Sequence, residues 1–144
     1  MNILNEMKVM FLSRSANEGF ARVAVAAFVA QLDPTIEELT EIKTAVSEAV
    51  TNSIVHGYPD KVGRIVICAR IKEKGIVEII ISDKGCGIED IEKAKTPLFT
   101  TCTTGERSGM GFTIMETFMD YLKVTSKAGK GTQIKMRKRL ITRE

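Results

Sequence analysis

The chain has 144 residues, of which 44% are hydrophobic and 27% charged, and its formal net charge is +3. This length fits one compact domain, so we expect a single domain over residues 1–144. A mean hydropathy of +0.01 excludes a largely disordered chain. The longest apolar stretch, Phe20 to Leu32, is too short to cross a membrane, and no basic-then-apolar signal pattern begins the chain. We therefore expect a cytoplasmic protein without membrane contact.

The positive charge is concentrated at the C-terminus. Within residues 127–144 every charged residue except Glu144 is Lys or Arg, which can indicate a nucleic-acid surface. However, Lys135 and Arg137 alternate with Ile134 and Met136, as on a half-buried strand. No aromatic residue is interleaved to stack on bases. We expect a solvated strand face and no direct contact with nucleic acid.

Cysteine and histidine are scarce. Three cysteines, an odd number without a CxxC pair, are expected to be reduced thiols rather than zinc ligands. His56 is the only histidine, which excludes mechanisms that need two. A role as phosphoacceptor is conceivable for His56, but we favour a structural role at the end of a helix.

The first half of the chain predicts one strand and two helices. Residues 6–12 are predicted as a strand, and Ser15 with Glu18 predicts a capping box that begins a helix reaching Leu32. After Asp33-Pro34, Thr35 with Glu38 predicts a second capping box. The helix that follows has apolar residues at a period close to 3.6 and ends near Gly57 and Pro59.

The second half is dominated by strands. Residues 64–71 and 76–82 are predicted to form a hairpin, because two β-branched runs flank a short turn. The remaining predictions are a helix over 89–95, a Thr-rich loop over 96–105, a helix over 112–121, and strands over 122–126 and 132–140. This order predicts an α+β fold, a two-layer sandwich with helices covering one face of a mixed, mainly antiparallel sheet.

Glu48 and Asn52 form the first candidate site. They are four residues apart and therefore adjacent on one helix face. A carboxylate can accept a hydroxyl proton, and an amide oxygen is a hard ligand that suits Mg²⁺. The alternative is an ordinary solvated face.

The second candidate site is the segment 83–87, Asp-Lys-Gly-Cys-Gly, directly after an apolar strand. Asp83 can accept a hydrogen bond from an exocyclic amine. Gly85 and Gly87 let the backbone pass close to a flat ligand, where a side chain would clash. The alternative is a plain turn.

Two more glycine motifs follow along the chain. Arg107-Ser108-Gly109-Met110-Gly111 precedes a helix, where N–H groups and glycines can hold phosphate and an arginine can grip its terminal oxygens. The second motif, residues 129–132, ends in Thr132 and is also typical of a hairpin turn. No Walker A or GxGxxG motif is present, which excludes P-loop and dinucleotide folds.

Taken in order, these four motifs resemble the GHKL ATPase superfamily over roughly residues 35–135. Longer strings narrow the resemblance to the family of anti-sigma F factors, which are serine protein kinases of sporulating bacilli. The strings are residues 20–23, 26–35, 40–52, 56–58, 97–101 and 106–116. The family resemblance implies binding of ATP or ADP with Mg²⁺, dimerisation, inhibition of a sporulation sigma factor, and phosphorylation of a serine on an anti-anti-sigma antagonist.

The same resemblance assigns roles to individual residues. It makes Glu48 the catalytic base and Asn52 the magnesium ligand, and it places Asp83 at the adenine amino group with Gly87 and Thr132 beside the base. Gly85 is also among the nucleotide-binding residues. Arg107 would reach the γ-phosphate, and the phosphates would be wrapped by Ser108, Gly109, Met110 and Gly111. One departure is Cys102, where the family pattern leads us to expect lysine after Thr100-Thr101.

Arg22 is a candidate for partner binding. The helix around it is apolar nearly all round, and Arg22 shares a face with Val25, Ala26 and Val29. An arginine on an uncovered apolar face is typical of an interface anchor. The alternative is an arginine whose stem packs on the fold while its head reaches water.

Three other functions remain open from the sequence. One is a stress-response anti-sigma kinase of the same superfamily. Another is a non-catalytic module that binds a sigma factor under nucleotide control, which the carboxylate at position 48 disfavours. The least favoured is the detached catalytic domain of a histidine kinase.

Overall fold

The computed structural model describes residues 2–88 and 111–141. The described residues form five strands and three α-helices, besides shorter helical turns. In chain order these are β1 (Ile3–Leu12), α1 (Ala16–Val29), α2 (Ile36–Thr51), β2 (Arg64–Lys72), β3 (Ile76–Asp83), α3 (Gly111–Phe118), β4 (Tyr121–Lys127) and β5 (Gly131–Arg139). The helix predicted over 89–95 and the loop predicted over 96–105 lie outside the described residues.

The five strands form one sheet in the order β1-β2-β3-β5-β4, and every described pair of neighbours is antiparallel. The predicted hairpin is confirmed, since Lys72 pairs with Ile76 across a turn in which Lys74 and Gly75 both have positive φ. The α+β prediction is also confirmed. The helix predicted over 112–121 was too long at its end, because Tyr121 belongs to β4, where its ring lies 4.5 Å from the Arg137 guanidinium carbon.

One sheet face packs against the helices. Along β2 the side chains of Ile65, Ile67 and Ala69 are fully buried, whereas Val66 and Cys68 between them are only partly covered. The same buried cluster includes Val25 of α1, side chains of α2, and Met115 of α3. This alternation is what a sheet covered on one face requires.

The two predicted capping boxes have different outcomes. Thr35 caps α2: its hydroxyl accepts the Glu38 N–H at 3.0 Å, and the Glu38 carboxylate accepts the Thr35 N–H at 2.9 Å. The box predicted for α1 is wrong, because Ser15 has helical backbone angles and makes no side-chain cap. Glu18 instead accepts a hydrogen bond from Ser47 on α2.

The opposite sheet face carries a row of paired charges across four strands. Glu78 on β3 is 1% exposed and lies between Arg70 on β2 and Arg137 on β5. Its carboxylate accepts hydrogen bonds from Arg137 at 2.7 Å and from Lys72 at 3.1 Å, and Arg70 also binds Glu6 on β1. Arg137 of β5 therefore lies on the face away from the helices, as the alternation of β5 predicts, whereas Lys138 lies on the helix face and pairs with Glu41 of α2 at 3.0 Å.

Candidate nucleotide site

The end of α2 is the centre of the site. After Thr51 the helix widens into a π-helical turn, Asn52–Gly57, so the predicted helix reaches Gly57 but not with regular geometry. Such turns are rare and occur often at functional sites. Here the turn brings Ser53 and Gly57 against the end of β3.

Asp83 ends β3 and lies at the bottom of the site. Its Oδ2 accepts the Ser53 hydroxyl at 2.7 Å, and its Oδ1 accepts the Gly85 N–H at 2.9 Å. Burial raises the pKa of Asp83, and backbone hydrogen bonds from Gly85 and Thr132 together with the Ser53 bond act in the opposite direction. The residue is only 6% exposed, so its carboxylate is a fixed acceptor with little competing water.

The two glycines after Asp83 are required by the protein's own backbone. A β-carbon on Gly85 would lie 2.0 Å from the carbonyl oxygen of Gly57. A β-carbon on Gly87, where φ is +75°, would lie 2.2 Å from the carbonyl oxygen of Lys127. These close approaches hold the segment after β3 between the π-helical turn and the β4–β5 hairpin. The sequence analysis singled out both glycines for a different reason, namely that the backbone would pass close to a flat ligand there.

Thr132 lies opposite Asp83 in the pairing of β3 with β5. Its hydroxyl is 2.7 Å from the Ser126 hydroxyl, which also accepts the Ile88 N–H at 2.8 Å. A narrow crevice beside them is lined by six residues, namely Asn52, His56, Gly57, Gly87, Ile88 and Thr132. Asn52, Gly87 and Thr132, which are distant in sequence, are therefore brought together.

Glu48 lies one turn before Asn52 on α2. Its Oε1 would be 3.3 Å from a β-carbon placed on Gly111, the first residue of α3. The proposed base and the proposed magnesium ligand are thus on one helix, between the start of α3 and the Asp83 end of the site. This arrangement fits a nucleotide whose base lies at Asp83 and whose phosphates point toward α3.

Part of the predicted site belongs to a segment that the structure does not describe. Arg107, Ser108, Gly109 and Met110 lie outside the described residues, as does Cys102. Within 2–88 and 111–141, no group of three or more His, Cys, Asp or Glu side chains could hold a metal ion. Asn52 remains a candidate ligand because Mg²⁺ is commonly held by few protein oxygens together with substrate phosphates.

Two supporting residues were missed by the sequence analysis. Ser53 continues the buried apolar face of α2, since it comes seven residues after Val46 and three after Val50. It therefore places a polar side chain on that face. A buried hydroxyl needs a partner, and that requirement could have revealed it. Tyr58 is the other: its hydroxyl donates to the Arg64 carbonyl and accepts the Lys84 N–H, both at 2.8 Å.

The cysteine prediction is confirmed for Cys68, which is a free thiol. It is wrong for Cys86, which is disulfide-bonded. An odd number of cysteines excludes only complete pairing, so the count did not support the stronger expectation.

Arg22 lies away from the nucleotide site, in a groove of about 400 Å³ between α1 and α2. The uncovered apolar face predicted around it is wrong, because Val25 and Val29 are fully buried and Arg22 lies at the edge of their stripe. Its guanidinium pairs with Glu18 at 3.4 Å. The α2 side of the groove is polar and is lined by Thr40, Lys43, Thr44 and Ser47.

None of the helices described here is long and apolar enough to cross a bilayer.

Comparison with known proteins agrees with this geometry. A family model described as a histidine kinase-like ATPase domain matches residues 12–138. Among solved structures, the RsbU and RsbW domains of a Mycobacterium tuberculosis protein superpose with a TM-score of 0.71 at 19% identity, covering 97% of this chain and 33% of that one. The mycobacterial sensor histidine kinase MprB gives 0.57 at 21% identity, covering 73% of this chain and 74% of that one. These two structures support the fold alone.

The chain therefore belongs to the histidine kinase-like ATPase domain family, whose model matches most of its length. An anti-sigma F factor of Clostridium novyi (strain NT) is 62% identical over 137 residues, which are 94% of this chain and 95% of that protein. One from Thermoanaerobacter sp. (strain X514) is 61% identical over 139 residues, or 96% of each chain. Within the ATPase class, the chain is a member of the anti-sigma F factor family.

Proposed function

We propose that this protein is a single-domain, cytoplasmic, ATP-dependent serine protein kinase and anti-sigma factor. It binds and inhibits a sporulation sigma factor, and it phosphorylates a serine of an anti-anti-sigma antagonist. The observation that carries the proposal is the placement of Glu48, Asn52 and the Asp83 contact of Ser53 along one helix end. The names of its relatives, anti-sigma F factors, supply the class of partner. We further expect a homodimer, as the family resemblance implies.

The nucleotide is held at three points in this proposal. Asp83 accepts a hydrogen bond from the exocyclic amine of adenine, with Gly85, Gly87 and Thr132 around the base. Asn52 supplies an oxygen ligand to Mg²⁺, which neutralises phosphate charge when bound. The N-terminal end of α3 at Gly111, together with Ser108, Gly109, Met110 and Arg107, receives the phosphates, since helix N-terminal N–H groups favour anions.

Glu48 is the general base of the transfer. The serine hydroxyl of the antagonist gives its proton to the Glu48 carboxylate as its oxygen attacks the γ-phosphorus, and the bond from that phosphorus to the β,γ-bridging oxygen breaks. Arg107 stabilises the charge that develops on the transferred group. The contact of Glu48 with the start of α3 supports this role, because it puts the base beside the expected phosphates.

Arg22 belongs to the docking surface for the protein partners. Its groove contains two cationic and three hydroxyl side chains, which suits an acidic segment. Thr44 and Ser47 of this groove precede Glu48 by four and one residues on α2, so a partner docked on Arg22 has a short path to the base. A partner carboxylate would compete with Glu18 for the guanidinium.

Transfer from γ-labelled ATP to the antagonist tests the proposal directly. The full-length protein is incubated with labelled ATP, Mg²⁺ and the antagonist, and the labelled residue is located by mass spectrometry. We expect label on one serine and none on a variant with alanine at that serine. Sigma-factor binding that requires nucleotide, without any transfer, would instead support the non-catalytic module. Label on His56 of the protein itself would contradict the assigned chemistry.

A further inference from the structure

Ser53 makes a contact whose purpose the fold alone does not explain. It is the second residue of the π-helical turn and is 1% exposed. Its hydroxyl donates to Asp83 Oδ2 at 2.7 Å, across 30 residues of sequence. Alanine or another small apolar residue would fill this core position without introducing a polar group.

The contact completes the set of donors around the Asp83 carboxylate. A carboxylate has about four lone-pair sites. One receives the Gly85 N–H and another receives the Ser53 hydroxyl. Acceptor sites are therefore left for a ligand, and the two donors fix the orientation of the carboxylate that carries them.

Other atoms of the π-helical turn restrict the same carboxylate. A β-carbon on Gly57 would lie 3.2 Å from all three atoms of the Asp83 carboxyl group, so the turn packs directly on it. The Gly57 carbonyl also accepts the Cys86 N–H at 2.8 Å. Gly57 thus restricts the carboxylate by contact, whereas Ser53 supplies a directional side-chain bond to it.

We propose that Ser53 is a positioning residue for base recognition, whose hydroxyl orients Asp83 so that a remaining lone pair of the carboxylate meets the exocyclic amine of adenine. This inference rests on the proposed function, because it assumes that the base binds at Asp83. Ser53 does not touch the nucleotide in this account. Its loss therefore reduces the preference for adenine over a purine that lacks the amine, rather than nucleotide binding in general.

Inosine triphosphate provides the probe, since it carries a carbonyl oxygen where ATP has the amine. The full-length protein and its Ser53→Ala variant are titrated with each nucleotide by calorimetry. We expect the variant to bind ATP about tenfold more weakly, the usual consequence of losing one hydrogen bond to a charged group, with little change for inosine triphosphate. Thr117→Val is the matched control, because the Thr117 hydroxyl bonds only its own helix at Thr113; it should change neither affinity.

A double-mutant cycle with Asp83→Asn separates this role from a structural one. If Ser53 acts through Asp83, Ser53→Ala adds almost nothing to the loss already caused by Asp83→Asn. Additive losses, or equal losses for the two nucleotides, would overturn the inference. If Ser53→Ala does not fold, Ser53→Cys, whose thiol is a weaker donor, takes its place in the cycle.

The two proposals can fail separately. If Asp83→Asn weakens ATP binding and the Ser53 variant does not, the positioning role is wrong and the adenine site stands. If Asp83→Asn leaves ATP affinity unchanged, the adenine site is itself wrong, and the role of Ser53 falls with it.

Discussion

Glu48 and Gly111 are packed so closely that a β-carbon on Gly111 would lie 3.3 Å from Glu48 Oε1 and 4.0 Å from Glu48 Cβ. The proposed base therefore rests against the first residue of the helix that is expected to receive the phosphates. Gly111 has no left-handed backbone angle that would itself require glycine. Its lack of a side chain leaves room for the carboxylate.

Gly111→Ala should separate stability from catalysis. Alanine in a helix is favoured over glycine by about 0.5–1 kcal/mol, so the melting temperature should stay equal or rise. The new methyl group displaces Glu48 by a few tenths of an ångström, and the transfer rate should fall several-fold because proton transfer depends on close geometry. Thermal melts and single-turnover transfer would measure the two effects. A variant with an unchanged rate would show that Glu48 tolerates the displacement.

Glu48→Gln should remove the base while keeping the shape of the side chain. We expect the transfer rate to fall by about 10²–10⁴-fold, the usual contribution of a general base. Nucleotide binding and sigma-factor binding should persist, since an amide of the same size can still form hydrogen bonds. Rapid-quench kinetics on the antagonist, beside calorimetry with ATP, would test this. Transfer at the wild-type rate would remove Glu48 from the mechanism.

Asp83→Asn should weaken ATP binding by about tenfold or more. The substitution replaces an acceptor-only carboxylate with an amide that also presents a donor, and a hydrogen bond to a charged group contributes roughly 1.5–3 kcal/mol. Calorimetric titration with ATP is the measurement. Asp120→Asn is a suitable control, since Asp120 accepts the exposed Arg139 N–H far from the π-helical turn. Equal affinities for the wild type and the Asp83 variant would place adenine elsewhere.

Arg22→Ala should weaken binding of the antagonist or the sigma factor and leave ATP affinity unchanged. Its pair with Glu18 is a partly exposed contact within one helix, and such pairs contribute less than about 1 kcal/mol, so stability should change little. Lys123→Ala, an exposed change on β4, controls for the loss of one positive charge. Surface plasmon resonance would measure the affinity of each variant for the antagonist and for the sigma factor. If both partners bind the Arg22 variant normally, the groove is not their docking site.

Glu78 makes stability depend on acidic pH. Burial alone would raise the pKa of Glu78, but hydrogen bonds and charges from Arg137 and Lys72 lower it from 4.5 to about 2. A carboxyl whose pKa is depressed in the folded state stabilises above its unfolded pKa, and this stabilisation is lost as pH falls from about 4.5 through about 2. Glu78→Gln should therefore cost up to about 3 kcal/mol at pH 7, and the difference from wild type should vanish near pH 2.

Urea unfolding at a series of pH values would measure this effect. Glu6→Gln is the matched control, because Glu6 binds Arg70 at the exposed end of the same row and should contribute far less. A difference between wild type and the Glu78 variant that does not depend on pH would show that packing, not ionisation, makes the contribution.

Periodicity and turn residues were enough to predict most of the elements. The β-branched runs of β2 and β3 and the Thr35–Glu38 box depend on local chemistry, and the structure confirms the hairpin and the cap. Local chemistry failed where a distant group competed for the same side chain. Ser15–Glu18 is such a case, because Ser47 on α2 donates to the Glu18 carboxylate, and Tyr121 is another, because Arg137 pairs with it.

The sequence by itself determined the family, the order of the motifs and the residue types that the proposed chemistry needs, since these are properties of short segments. Only the tertiary structure decided which segments of the chain contact one another. The widening of α2 into a π-helical turn, the Ser53 bond to Asp83 and the burial of the valines beside Arg22 depend on contacts between segments about 30 or more residues apart, or on backbone geometry that no local pattern specifies. Packing selects such contacts by shape and by the need to satisfy buried polar groups, and neither condition can be evaluated along the chain alone.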